Sequence, residues 1–91
     1  MAERIRASHI LVERETLAID LLSQVRAGSN FAESARKHST CPSRAKGGDL
    51  GYFGRGMMVK QFEDAAFAIK PGEITGPVKT EFGYHIIQRT E

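Results

Sequence analysis

A chain of 91 residues, 41% apolar and 26% charged with a net charge of +2, describes one globular domain, 1–91, with a small core, because a chain this short buries only about 60–65% of its extended surface. Acids interspersed with bases leave no clustered Lys/Arg face for nucleic acid, and no run approaches the roughly 18 apolar residues of a membrane-spanning helix. The N-terminal stretch Met1–Arg6 lacks the apolar segment of a secretion signal, and a lone cysteine makes no internal disulfide, so a monomer in a reducing cytoplasm is expected.

Ile5–Val12 reads as a strand, with Ile5, Ala7, His9 and Leu11 on one face and Ser8, Ile10 and Val12 on the other. Apolar residues on both faces predict a central strand. Leu17, Ala18, Leu21, Leu22 and Val25 recur at helical spacing, which predicts a helix starting near Arg14–Thr16 and stopping at Gly28 as its C′ glycine. Asn30 caps a second helix, with Glu33 in the capping-box position; Phe31, Ala32 and Ala35 face the core. That helix ends before a loop running from Thr40 to Gly48. Asp49–Phe53 is a short strand bounded by glycines. Val59–Phe67 is a third helix that buries Val59, Phe62, Ala66 and Ile69. Pro71-Gly72-Glu73 is a turn, and Val78–Thr80 and Tyr84–Arg89 are strands joined by the loop Glu81-Phe82-Gly83. The order β-α-α-β-α-β-β predicts an α+β fold, a four-stranded, mostly antiparallel sheet enclosed by helices. The first and last strands are the most apolar and therefore the expected central pair, which brings His9 and His85 onto neighbouring strands and one face.

The run from Gly47 to Glu63 passes from a glycine-rich turn through a short strand and a second turn into an amphipathic helix. It sets up Leu50, Met58 and Phe62 as a compact pocket, better suited to a small apolar ring than to a phosphate or a metal. One of Met57 and Met58 reads as core filler, while a flexible thioether also suits an adaptable pocket wall. A histidine in an apolar strand needs its ring nitrogens satisfied. His9 and His85 are therefore either core groups bonded to each other or to a hydroxyl, or members of the site, with Thr80 and Cys41 nearby. Cys41 is open to three readings: a histidine-activated nucleophile, a noncovalent site member, or a passive, partly buried thiol. A metal site would combine His9, His85 and Cys41 with Asp49 or His38, but the chain has no CxxC and no HxxxH, so neither metal nor cofactor is expected. His38, at the end of the second helix, reads as a surface residue complementing the helix dipole. Gly47-Gly48-Asp49-Leu50-Gly51 has neither phosphate-loop form.

These residues resemble the parvulin-type peptidyl-prolyl cis/trans isomerases, in particular the small stand-alone members. Ser8-His9-Ile10-Leu11-Val12 is similar to the family's first strand. Gly47-Gly48-Asp49-Leu50-Gly51, Gly54-Arg55-Gly56-Met57-Met58 and Phe62-Glu63-Asp64-Ala65-Ala66-Phe67 are similar to its central signature. Gly76-Pro77-Val78 and Phe82-Gly83-Tyr84-His85-Ile86-Ile87 are similar to its C-terminal hairpin. The resemblance implies four antiparallel strands enclosed by helices. It implies that Leu50, Met58 and Phe62 hold a substrate proline ring and that His9, Cys41, Thr80 and His85 form a polar network beneath the prolyl bond. The expected partners are proline-containing segments of unfolded or partly folded proteins. The phosphate-directed branch carries a basic loop after its first strand; here Glu13-Arg14-Glu15-Thr16 holds two acids and one base, which implies unphosphorylated substrates. Two rival readings are a noncatalytic module that holds proline segments and a cysteine-dependent hydrolase.

Overall fold

Apolar residues on both faces of β1 (Arg4–Val12) require cover on both sides of the sheet, and the computed structural model supplies it. The structure describes residues 4–91; Met1–Glu3, on which the secretion-signal reading and the start of the 1–91 domain partly rest, lie outside the described residues. After β1 come α1 (Glu15–Arg26), α2 (Phe31–His38), a 3-10 helix (Pro42–Lys46), β2 (Asp49–Gly54), α3 (Lys60–Ala68), β3 (Ile74–Thr80) and β4 (Gly83–Arg89). The sheet order is β2-β1-β4-β3, all pairs antiparallel, so the two most apolar strands are central, as expected. Ile10, Val12 and Ile86 pack beneath α1 and α2 with Leu21, Leu22, Val25 and Phe31. Ile5, Ala7, Ile87 and Phe53 pack on the opposite face with Phe62 and Ala66 of α3.

Local chemistry sets the helix ends. Gly28 (φ +113) closes α1 in a Schellman arrangement, with Ser29 N–H donating to Gln24 O (3.0 Å) and Gly28 N–H to Val25 O (3.2 Å). Asn30 Oδ1 accepts from Glu33 N–H at 2.9 Å, one half of the capping box.

Three differences from the sequence reading have local causes. The 40–48 loop contains the 3-10 helix, which Pro42 starts at its first turn and Gly47 (φ +68) ends. β3 begins at Ile74 rather than Val78. Gly76-Pro77 reads as a turn in isolation, but β3 is an edge strand, and the register shift between Thr75 and Val78 absorbs the proline without a ladder donor. The hairpin loop is two residues, Glu81-Phe82, because Thr80 pairs with Gly83. Of the two methionines, Met58 packs against the core of the α3 face, while Met57 is 65% exposed and its Sδ accepts from Gly54 N–H at 3.2 Å.

Candidate functional site

β2 pairs with only the first half of β1, the register ending at Ser8↔Asp49. Beyond that point the backbone of β1 needs other partners. Gly48 O accepts from His9 N–H (2.9 Å), Ser39 Oγ accepts from Leu11 N–H (3.1 Å), and Thr40 N–H donates to Leu11 O (2.8 Å). Ser39, 1% exposed, thus replaces a strand with a side chain and carries the segment 40–42 across the sheet. Gly48 has no room for a side chain: a Cβ there would lie 2.3 Å from His9 O. The divergence of β2 from β1 opens a cavity of about 560 Å³ on the α3 face.

Leu50 from β2, Met58 from the turn before α3 and Phe62 from α3 line this cavity, with His9 and Leu11 from β1, His85 from β4, and Cys41 and Pro42 from the loop. Phe62 is 2% exposed and stands edge-on to both imidazoles, at 5.5 Å from His9 and 5.3 Å from His85. Six of the seven predicted site residues therefore border one space. Thr80 lies outside the lining and reaches it through His85: its Oγ1 is 2.7 Å from His85 Nε2, and His85 Nδ1 is 2.9 Å from His9 Nδ1. The two histidines are diagonal neighbours, since His85 pairs with Leu11 and His9 with Ile87.

Thr80 Oγ1 also accepts from Phe82 N–H (3.2 Å), and its second lone pair and its proton both remain open to His85 Nε2. The chain therefore runs in one of two directions, Thr80 to His85 to His9 or the reverse, set by the two tautomers. His9 Nε2 is buried and has no hydrogen-bond partner among the described residues. Burial pushes both histidines down to about 4, and the neighbouring His85 adds to the effect on His9. Both are neutral at pH 7 and give the cavity a polar but uncharged floor.

Cys41 departs from the expected network. Among the described residues the hydrogen-bonded chain runs Thr80–His85–His9, and the half-buried Cys41 thiol is not a member. Its extended backbone (φ −80°, ψ 143°), held before Pro42, sets it on the cavity wall instead. Asp49 and His38, weighed as further metal ligands, lie outside the lining. Asp49 pairs with Arg6 at 2.5 Å, an interaction that lowers its carboxyl below the usual range, and His38 is exposed in the last turn of α2. Among the described residues, no Asp, Glu, Lys or Arg lines the cavity.

The sequence reading assigned no role to Ser39, Glu63 or Phe82. Phe82 is 59% exposed at the cavity edge; a phenylalanine in a hairpin loop was its available signal. Glu63 is buried, and its signal was an acid on the stripe of α3 that Phe62 and Ala66 occupy.

Residues 9–91 match the family described as Rotamase: PPIC-type PPIASE domain. The chain is similar to the foldase protein PrsA of Geobacillus sp. (strain WCH70), 51% identical over 89 residues, covering 97% of this chain and 32% of that protein. It thus spans about a third of the length of the first curated relatives it matches. Its structure is similar to that of PrsA from Bacillus subtilis, with a TM-score of 0.94, 47% identity, and 98% of this chain and 35% of the other covered. It is also similar to NmPin, the parvulin of Nitrosopumilus maritimus, with a TM-score of 0.90, 44% identity, and 100% and 99% of the two chains covered. With the fold, the cavity and these likenesses in agreement, the chain belongs to the PPIC-type peptidyl-prolyl cis/trans isomerases, the parvulin-type rotamases.

Proposed function

We propose that this chain accelerates rotation about Xaa-Pro bonds in unphosphorylated segments of unfolded or partly folded proteins, without a covalent intermediate, and so assists their folding. The observation that carries the reading is the uncharged cavity in which Leu50, Met58 and Phe62 face a neutral His9–His85–Thr80 chain. Amide resonance sets a barrier of ~18–20 kcal/mol to rotation, and Xaa-Pro bonds exchange over tens to hundreds of seconds, slowly enough to limit folding. Leu50, Met58 and Phe62 grip the pyrrolidine ring while the preceding carbonyl turns. The apolar walls withdraw water from that carbonyl, which disfavours the charge-separated planar amide. A ten-thousandfold acceleration requires roughly 5.5 kcal/mol of selective stabilisation of the twisted amide. Ring fixation and oriented hydrogen bonds are of that order. A monomer acting in the cytoplasm, with neither nucleic acid nor membrane as partner, completes the proposal; the single cysteine supports the compartment.

The preference for unphosphorylated substrate follows from charge. A phosphate dianion is recognised by arginine clusters. Here the β1–α1 connection is Glu13-Arg14, followed by Glu15, and among the described residues no Lys or Arg lines the cavity. With substoichiometric protein, NMR exchange spectroscopy on Leu-Pro, Glu-Pro and phosphoSer-Pro peptides is expected to reveal cis/trans cross-peaks for the first two, with no advantage for the third. Binding without exchange would leave a holding module; a phosphopeptide preferred by about tenfold or more would overturn the charge argument.

Cys41 bears on the covalent question. A reactive thiolate needs a cationic or basic neighbour, and His9 and His85 are bonded to each other rather than to Cys41. Cys41→Ser is expected to keep at least about a tenth of the wild-type kcat/KM. Complete loss of activity with an intact fold would restore the nucleophile.

A further inference from the structure

Met58 sits in a segment with little regular structure: β2 ends at Gly54 and α3 begins at Lys60. A pocket wall on such a segment needs an anchor. Both ends of Met57-Met58-Val59 lead to one residue. Glu63 N–H donates to Val59 O (3.0 Å) as the first turn of α3 closes, and Glu63 Oε1 accepts from Gly56 N–H at 2.5 Å. The second carboxylate oxygen accepts from Arg55 Nη1 at 3.1 Å. The Arg55 guanidinium also lies 4.4 Å from the centre of the Phe67 ring and 3.9 Å from Asp64 Oδ1. Gly56 has φ +88, a backbone that favours glycine.

A carboxylate with 11% side-chain exposure on the buried stripe of a helix is costly unless its oxygens are bonded. Here both are, and both bonds go to the turn that carries the pocket methionine. Phe62, the opposite wall, precedes Glu63 directly in α3. We propose that Glu63 is the positioning residue of the proline pocket. Its side chain and backbone clamp the Gly56–Val59 segment from both ends and hold Met58 at a fixed distance from Phe62, while Arg55 holds the carboxylate in place. The consequence is for grip on the ring rather than for the polar floor.

This inference rests on Leu50, Met58 and Phe62 forming the proline pocket, a reading that the pocket substitutions in the Discussion test separately. The experiment compares Glu63→Ala, Glu63→Gln and Arg55→Met on one Xaa-Pro peptide, with KM and kcat determined separately under conditions where circular dichroism finds each variant folded. Glu63→Ala is expected to raise KM about tenfold with kcat within about twofold of wild type. Glu63→Gln keeps an acceptor for Gly56 N–H, and Arg55→Met keeps the carboxylate; each is expected to raise KM by only about two- to threefold. Hydrogen exchange at the Gly56 amide should speed up in Glu63→Ala and stay near wild type in Glu63→Gln. Should Glu63→Ala not fold, the Gln and Met variants with the Gly56 exchange rate decide. An unchanged KM in every folded variant would overturn the inference, as would a fall in kcat alone. If the pocket reading itself fails, Met58→Ala leaves KM unchanged, whereas a failure of the Glu63 assignment leaves the Met58 effect intact.

Discussion

Phe62→Ala is expected to remove most isomerase activity and to bring the domain close to unfolding. The ring does two jobs. It closes the cavity against Leu50 and Met58, and it is a buried member of the core with Ile5, Ala7, Phe53, Ala66 and Ile87. It also stands edge-on to both imidazoles, so its removal loosens the floor as well as the wall. Truncating a buried phenylalanine costs about 3–5 kcal/mol, against a total stability of about 5–15 kcal/mol for an ordinary domain. Stability and activity therefore have to be separated. Phe62→Leu retains most of the apolar volume and should stay folded, with kcat/KM reduced on the order of tenfold. Met58→Ala lies on the half-exposed wall and should cost less stability, yet lose on the order of a hundredfold in kcat/KM. Urea titration and peptide exchange rates on the same samples make the comparison. A folded Met58→Ala variant with wild-type kcat/KM would remove Leu50, Met58 and Phe62 from the role of ring holder.

The arrangement of these side chains was legible because it depends on periodicity and strand order. His9 and His85 fall on alternate positions of the two most apolar strands, and strands of that kind take the middle of a sheet. Their contact follows from the pairing of β1 with β4. Phe62 falls on the apolar stripe of α3, and Leu50 on the strand that leads to it. What the sequence hid depends on backbone geometry without a period. The hairpin loop is one residue tighter than Glu81-Phe82-Gly83 suggests, because Thr80 pairs with Gly83. Cys41 misses the hydrogen-bonded chain because Ser39 and Pro42 set the path of the loop. The first half of β3 was masked by Gly76-Pro77, whose turn preference yields to pairing at a sheet edge. Glu63 was masked by its chemistry: an acid in a helix reads as surface, and only the bonds from Gly56 and Arg55 account for its burial.

The histidine pair makes a second large effect, on stability against pH. In the folded chain His9 and His85 titrate near 4, whereas an unfolded histidine titrates near 6.5. Between those values the unfolded chain binds protons that the folded chain refuses. Stability is therefore full above about pH 6.5 and falls as the pH drops toward 4. At 1.36 kcal/mol per pKa unit, the loss for the pair is on the order of 3–6 kcal/mol, a large share of a small domain's total. Acid unfolding near pH 4 is the expected result. The Arg6–Asp49 pair acts with the same sign lower down, as the carboxyl protonates, but it is partly exposed and contributes little. His9→Ala removes one of the two suppressed protonations, so it should roughly halve the dependence of stability on pH between 6 and 5. It also leaves Nδ1 of His85 without its partner in a buried site, which should lower the stability at pH 7 by about 1–3 kcal/mol and slow isomerisation through a displaced floor. Urea midpoints at pH 7, 6, 5 and 4 for the two proteins measure both effects. A wild-type stability that stays level from pH 7 to 4 would mean that the imidazoles accept protons within the fold, and the neutral chain from Thr80 to His9 would have to be abandoned.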